Sequence, residues 1–509
     1  MEAGGDVRPA MRRGKNNGTQ GGIMKINWKI VVPLAVWLLL AAYGGLMGSP
    51  TGLKLQAWYY FSLFIAVIIG LILEPIPAAA IGMIGIAIAA TLGLVDANMN
   101  KSIAWALSGF SDTTVWLIFG AFVFSMGYNK TGLGRRVALR LVKSLGGHTL
   151  GLGYAIAIAD LVLAPGTPSN TARSAGTIFP VIRNIPGLYG SEPGPTARKI
   201  GSYIMWTAFA ATAVTSSMFI TSLAPNAAAL AIAKGTTKVD INWLQWFLGF
   251  MPVGIVLFLI TPLLVYWIYP PEIKSSKEIP EWASRELDKI GAITKQEITM
   301  IVLVLIAIFL WVAGSNPLIS LPYVGKNFIN ATTVVLVGIA LMIVTGIVTW
   351  EEITGNKGAW NILVWFATLI TMANGLNLVG FVKWFADLAA TPLKGLNPLV
   401  AMGFLVALFF FIHYFFASLS AHTAAVLPVI LAVGANIPGI PSVPFALLCV
   451  YSLGLMGVIS PYATGPAPVY YGCGFIPRND FWRLGFIFGV IYLAILMAVG
   501  MPWLLMVKL

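Results

Sequence analysis

A chain of 509 residues with 58% hydrophobic and 10% charged residues is not a string of soluble domains, which carry about 25% charged residues. A mean hydropathy of +0.86 over the whole length cannot be hidden in one core, so the sequence describes an integral membrane protein. The net charge of +13 fits basic loops on the cytoplasmic side of a bilayer and gives no reason to expect a nucleic-acid partner.

Residues 1–29 are polar, glycine-rich and basic, with no apolar stretch leading to a cleavage site. They predict a disordered cytoplasmic N-terminus rather than a cleaved signal peptide, with Met24 as a natural start and 1–23 as an extension. Apolar runs of spanning length then follow at 30–48, 57–73, 77–95, 113–128, 203–233, 244–268, 298–314, 332–349, 361–380, 444–470 and 482–507. Two more, 151–182 and 397–435, are broken near their middles by polar and Pro/Gly residues and read as re-entrant helical hairpins. The predicted fold is therefore all-α and polytopic, with about eleven transmembrane helices and two hairpins.

Counting spans from a cytoplasmic N-terminus puts 129–150, 183–200 and 471–481 inside, where Arg135, Arg136, Arg140, Lys143, Arg183, Arg198, Lys199 and Arg478 lie. The hydrophilic stretch Pro270–Glu297, with five basic and six acidic residues, becomes an internal linker. Around it the sequence repeats. Val115-Trp116, Asn129 and Gly132 recur as Val364-Trp365, Asn377 and Gly380; Pro180-Val181-Ile182 recurs as Pro428-Val429-Ile430; Thr221-Ser222-Leu223-Ala224-Pro225 recurs as Thr464-Gly465-Pro466-Ala467-Pro468. The division that follows is a first helix and loop over 30–56, a first repeat over 57–269, a linker over 270–297 and a second repeat over 298–509. Five spans per repeat is an odd number, so the copies are inverted, as in secondary transporters whose site lies at the repeat interface.

The first hairpin carries Ala164-Pro165-Gly166-Thr167-Pro168-Ser169-Asn170-Thr171-Ala172-Arg173. Two helix-stopping prolines followed by small polar residues and a new apolar run end one half-helix and start another, with free N–H groups and a positive dipole end at the tip. That is an anion site in kind, although a lone Ser-Asn-Thr elsewhere is an ordinary capped turn. The second tip reads Ser418-Leu419-Ser420-Ala421-His422-Thr423, and is aligned with His422 in the place of Asn170 and Thr423 in that of Thr171. The breaks at Thr221–Asn226, with Ser222, Pro225 and Asn226, and at Thr464–Pro468, with Thr464, Gly465 and Pro466, supply further unsatisfied backbone groups.

These residues resemble the divalent anion/sodium symporter family, over almost the whole chain from about residue 30. The resemblance implies two Ser-Asn-Thr tips that bind the carboxylates of a di- or tricarboxylate, helped by a Thr/Pro-rich break in each half. It also implies a homodimer with a static scaffold and a moving transport domain. Ser169, Asn170 and Thr171 match the first tip in full; at the second, Ala421 and His422 depart from Ser and Asn. The departure resembles the branch of bacterial citrate/succinate and tartrate/succinate antiporters and plastid 2-oxoglutarate/malate translocators, which implies sodium-independent exchange. No longer Ser-rich transit segment precedes the spans, which favours a bacterial inner membrane.

The charges point the same way. An arginine near mid-membrane costs roughly 2.5–3.5 kcal/mol on insertion scales and needs a partner or a purpose. Arg173 and His422 could supply the positive charge that a sodium symporter draws from Na⁺, and a fixed cation disfavours return of the empty carrier. The alternatives are an Arg173 that snorkels to the surface and a His422 that caps a helix. Asp160 could balance Arg173, carry a proton or serve as a structural hydrogen-bond partner. His413 reads as packing, His148 as surface, and Arg135, Arg136 and Arg140 as anchors for lipid headgroups. The sequence shows no phosphate-binding Gly-Lys-Ser/Thr loop and no metal-ligand spacing of its two cysteines, so no cofactor and no enzymatic activity are expected. Competing readings are a sodium-coupled carboxylate symporter, a sulfate carrier and an anion channel.

Overall fold

The computed structural model describes residues 27–275, 277–314, 320–321, 325–326, 329–393 and 395–507. Within them the regular structure is helical apart from one short antiparallel pair, Ser320–Leu321 with Gly325–Lys326, and an isolated bridge between His148 and Ser275. The segment expected to be disordered lies outside the described residues except for positions 27–29.

The first half runs α1 (Trp28–Met47), α2 (Leu55–Leu73), α3 (Ala78–Thr91), α4 (Met99–Leu107), α5 (Thr113–Thr131), α6 (Leu133–Leu145), α7 (Thr149–Leu163), α8 (Phe179–Ile182), α9 (Gly201–Met218), α10 (Ala224–Thr237) and α11 (Trp243–Ile268). A linker helix, α12 (Glu278–Ile290), precedes α13 (Lys295–Gly314), α14 (Ala331–Val344), α15 (Trp350–Gly355), α16 (Lys357–Leu378) and α17 (Phe381–Ala390). The chain ends with α18 (Pro398–Ile412), α19 (Leu419–Ala435), α20 (Ser442–Leu455), α21 (Ala467–Gly472), α22 (Arg478–Ile495) and α23 (Met501–Met506).

Nine helical stretches among the described residues are long and apolar enough to cross a membrane. Seven coincide with expected spans, and two, Thr149–Gly166 and Pro398–Phe415, are the entry arms of the expected hairpins. The other four expected spans are built differently. Runs 77–95 and 332–349 contain helices of only 14 residues, while 203–233 and 444–470 are interrupted at Phe219–Leu223 and beyond Leu455. The protein is thus a multi-pass helical membrane protein whose interruptions sit where the sequence places its polar residues.

Helix α9 is the centre of the packing. All 18 of its residues are buried, hydroxyl side chains included, and it lies against α7, α11 and α20. A helix buried on every side has no solvent or lipid face; α1, by contrast, buries only Gly44 and presents Leu38, Leu39 and Leu46 outward.

The segments expected on one side of the membrane meet one another. Thr149 donates from its backbone N–H to Lys274 O at 3.1 Å, and Glu272 N–H donates to Arg198 O at 3.1 Å. The Tyr269 hydroxyl bonds Asp480 at 2.7 Å, and α12 lies along α6. We call this the linker face. Arg136 is a correction to the lipid-anchor expectation. It is 4% exposed and clamped by Glu297 (Nε to Oε1 2.6 Å), with its other nitrogens on the carbonyls of Gly291 (2.8 Å) and Ala292 (3.2 Å). Arg135 stays on the surface but pairs with Glu286 of α12 at 3.0 Å.

Two segments that recur in sequence share a local geometry. Asn129 O accepts from Gly132 N–H at the end of α5, and Asn377 O accepts from Gly380 N–H near the end of α16. Both glycines are left-handed, with φ of 75° and 83°, a conformation that costs a residue with Cβ more than it costs glycine. Each then starts an amphipathic helix, α6 or α17.

Candidate functional site

The first expected hairpin runs through α7, passes a 3-10 turn at Ala164–Gly166 and an extended stretch, and restarts as a wide, π-type turn over Thr171–Ile178. Hairpin two has the same plan: α18, a 3-10 turn at His413–Phe415, and α19. The two restarts are held by the same pair of bonds. Ser169 Oγ accepts from Ala172 N–H at 3.2 Å and Ser169 O from Arg173 N–H at 2.9 Å. Ser418 Oγ accepts from Ala421 N–H at 3.3 Å and Ser418 O from His422 N–H at 3.0 Å. A small hydroxyl at a helix start satisfies orphan donors in this way.

These bonds set a register that differs from the sequence alignment. Ser169-Asn170-Thr171 stands opposite Ser418-Leu419-Ser420, so His422 takes the place of Arg173 rather than that of Asn170. The helix-cap alternative for His422 is also removed, because Ser418 is the cap.

Arg173 is fully buried, which removes the snorkelling alternative. Its Nε pairs with Asp160 Oδ2 at 3.1 Å, Nη1 donates to the carbonyls of Thr167 (2.9 Å) and Ser222 (2.8 Å), and Nη2 reaches Ser216 Oγ at 3.1 Å. Thr215 bonds the same Asp160 oxygen. Asp160 is therefore both the counter-charge and a structural partner. Burying this pair is tolerable only because nearly every donor is used, although Asp160 Oδ1 has no partner. The guanidinium joins the hairpin tip to the break between α9 and α10.

His422 is equally buried but sits in an aromatic cage, with ring centroids 4.5 Å from Phe409, 5.0 Å from His413 and 5.1 Å from Phe416. Neither of its ring nitrogens has a partner among the described residues. His413 is buried, as expected for packing, but it also bonds Ala463 O through Nε2 at 2.7 Å.

The structure thus brings the predicted elements to the second break. Asn170 Nδ2 donates to Thr464 Oγ1 at 2.8 Å, from the first tip to the second break. Gly465 lies so close to Thr171 that an added Cβ would fall 1.8 Å from Thr171 Oγ1. On its other flank, Ala463 is tied to His413 and so to hairpin two. The first break closes the ring: Ala224 N–H donates to Pro168 O at 2.8 Å, while α10, started by Pro225, packs on α19. Thr171 and Gly465 are exposed and Ser169 and Ser420 half-buried, whereas Asn170, Ser222, Pro225, Asn226, Thr464 and Pro466 are buried.

Some predicted residues serve the frame. Ser222 Oγ and Asn226 Nδ2 both donate to Ser216 O at 2.7 Å, holding the first break, and Thr423 donates to Leu419 O within its own helix. Sequence reasoning missed Thr212, Thr215 and Ser216, which surround Arg173. Their only signal was a run of hydroxyl residues inside an apolar helix. Among the described residues no group of His, Cys, Asp or Glu could hold a metal ion.

A sequence profile of the sodium:sulfate symporter transmembrane region matches residues 24–509. The chain is 49% identical over 493 residues to the citrate/succinate antiporter of Escherichia coli (strain K12), covering 94% of this chain and 98% of that one. It is 44% identical over 490 residues to the L-tartrate/succinate antiporter of Shigella sonnei (strain Ss046), with 94% and 98% covered. Among solved structures, it resembles the YdaH transporter of Alcanivorax borkumensis (TM-score 0.54, 14% identity, 80% of this chain and 89% of that one). It likewise resembles MtrF of Neisseria gonorrhoeae (TM-score 0.53, 14% identity, 93% and 98%); at such identity the likeness concerns the fold alone. With the family profile matched over nearly its whole length and close to half its residues shared with these relatives, the chain belongs to the divalent anion/sodium symporter family.

Proposed function

We propose that the protein is a secondary carrier that exchanges di- or tricarboxylate anions of the citrate, succinate, malate, tartrate or 2-oxoglutarate type by alternating access, without sodium and without enzymatic turnover. The observation that carries this reading is the ring of two capped tips and two broken helices, crossed by the Asn170–Thr464 bond. Thr171 and Gly465 present an accessible hydroxyl and backbone there, Ser169 and Ser420 stand half-buried at their tips, and Asn170 and Thr464 join the first tip to the second break. The names of the relatives supply the substrate class and the exchange mode.

The pairing with Asp160 modifies the fixed-cation argument. Arg173 is neutralised by Asp160, so its role is to hold the Thr167 and Ser222 carbonyls and thereby aim the tip. His422 is a buried ring with both nitrogens unsatisfied among the described residues. A buried polar group without a partner costs about 1–3 kcal/mol. A carrier crossing empty keeps that cost, whereas one loaded with an anion relieves it, and this asymmetry favours obligatory exchange. We further take the linker face as cytoplasmic, because of its basic residues. The membrane is then a bacterial inner membrane, and the working unit a homodimer with 57–269 and 298–509 as its repeats.

Uptake of labelled succinate and citrate into proteoliposomes, with or without unlabelled succinate inside and with Na⁺ or K⁺ outside, tests the reading. Uptake that needs internal substrate and ignores Na⁺ is expected. Na⁺-driven uptake into empty vesicles would establish the symport alternative, and uptake of sulfate with neither acid competing would move the substrate class.

A further inference from the structure

We propose a second carboxylate site, on the linker face beneath the tip of hairpin one, from which the anion passes to the tip. The inference rests on reading the protein as a carboxylate carrier. A cavity of about 430 Å³ opens there, walled by Tyr128, Asn129, Arg135, Thr177, Asn184 and Trp282. Its size falls within the ~300–1,000 Å³ of small-molecule sites.

Four features give it a preference for carboxylate. Tyr128 is 6% exposed and lines the cavity. Its phenol O–H is a donor that an anion in the cavity can engage. Asn129 uses its side-chain oxygen to accept from Thr177 at 3.4 Å, which leaves the amide N–H groups for a ligand. Arg135 is 56% exposed and spends Nη2 on Glu286, which Lys289 also neutralises. Glu286 lines the cavity too, but with Lys289 sharing its charge, the Nε and Nη1 of Arg135 remain to fork onto an anion. The 13-residue helix α6 starts at the cavity from Gly132, with no capping side chain and no acid in its first turn, so its dipole adds to the same sign.

The position gives the cavity its role. The Tyr128 ring packs on Gly166, where an added Cβ would lie 2.7 Å away, three residues before Ser169. Gly176 and Thr177, from the helix that follows the tip, form another wall. The repeat provides a control. An offset of 248 or 249 residues puts Leu376, Lys383 and Val426 in the places of Tyr128, Arg135 and Thr177. The hydroxyl donors have no counterpart, so the site belongs to one face of the membrane and makes the two directions of transport unequal.

Asn184 is exposed at the cavity and serves as the reporter. In full-length protein carrying Asn184→Cys and Cys473→Ser, in vesicles with the linker face outward, an impermeant maleimide is applied with succinate, citrate or sulfate. Succinate should slow labelling by about tenfold near saturation. The protection should persist when Asn170→Ala disables the tip, and vanish with Tyr128→Phe plus Arg135→Gln. Protection lost with Asn170→Ala, or unchanged by Tyr128→Phe and Arg135→Gln singly and together, would overturn the second site. Failure of the carrier reading looks different: no variant, including the reporter alone, then exchanges succinate or citrate in proteoliposomes.

Discussion

Arg173 and His422 stand at the same position of two repeated helix starts, each donating its backbone N–H to a serine carbonyl four residues earlier, yet their side chains live in opposite surroundings. The guanidinium is saturated by Asp160, two carbonyls and a serine hydroxyl, while the imidazole has aromatic neighbours and no hydrogen bond. On the proposed division into inverted repeats the two sites are formally equivalent, and their chemical difference is a place for a directional or anion-specific property.

Arg173 is predicted to be indispensable to the fold as well as to transport. Arg173→Met leaves the Asp160 carboxylate buried and unpaired, and breaking a buried pair from one side costs about 3–5 kcal/mol. The expected result is loss of monodisperse protein in size-exclusion chromatography and a lower Tm. Adding Asp160→Leu should recover a large part of the Tm, because the stranded charge is gone. Exchange of succinate should stay absent in both, since nothing then draws Thr167 and Ser222 together. A double variant that transports would show that the pair is only a strut.

His422 should behave in the reverse way. Its nitrogens make no hydrogen bond, so His422→Leu forfeits aromatic contacts of about 0.5–1.5 kcal/mol while removing an unsatisfied polar group of similar cost. Tm is expected to move little. Exchange should fall by about tenfold or more, corresponding to about 1.4 kcal/mol of lost anion stabilisation. A clear drop in Tm with exchange intact would make the residue a packing element.

Much of this arrangement is legible from residue order alone. The apolar runs, the two polar interruptions and the recurring Asn129/Gly132 and Asn377/Gly380 pairs all follow from backbone requirements that sequence expresses directly. The register of the second tip does not, because Ser418 and Ser420 are equally plausible caps until the hydrogen bonds decide between them. Nor does the state of Arg173. Whether a membrane arginine faces an anion or an aspartate depends on how α7 and α9 are rotated, and α9, buried on all sides, has no hydrophobic stripe from which its rotation can be read. Arg136 misleads for a related reason: its position on an amphipathic helix fits lipid contact, and only the fold of the distant linker brings Glu297 to it.

Thr464 and Gly465 test the contact between repeats. Thr464→Val removes the acceptor of the buried Asn170 amide, an unsatisfied group worth about 1–3 kcal/mol, and should raise KM for succinate more than it lowers Tm. Gly465→Ala should abolish exchange, because the new methyl lies 1.8 Å from Thr171 Oγ1 and 3.1 Å from Thr171 Cβ. Thr171→Ala in the same chain removes the closer atom. The double variant should therefore regain measurable exchange relative to Gly465→Ala alone; if it regains none, the tightness at Gly465 is needed for backbone contact with the anion itself.

The linker helix gives a pH prediction. Hydrogen bonding from Lys289, with the charges of Lys289 and Arg135, holds the Glu286 carboxyl below the usual carboxylate range. A carboxyl whose pKa is lowered on folding adds stability that is complete above its unfolded value, about 4.3, and is lost as pH falls through the folded value. Docking of α12 on α6 should therefore be insensitive between pH 8 and about 5 and weaken below about 4. Hydrogen exchange of the Glu278–Ile290 amides in detergent-solubilised protein measures it. Glu286→Gln should show at pH 7 the faster exchange that the parent reaches only in acid, with Arg136 and Glu297 still holding the start of α13. Uniform protection in parent and variant across this range would mean that the apolar face of α12, through Ile279 and Ala283, holds the helix without the charges.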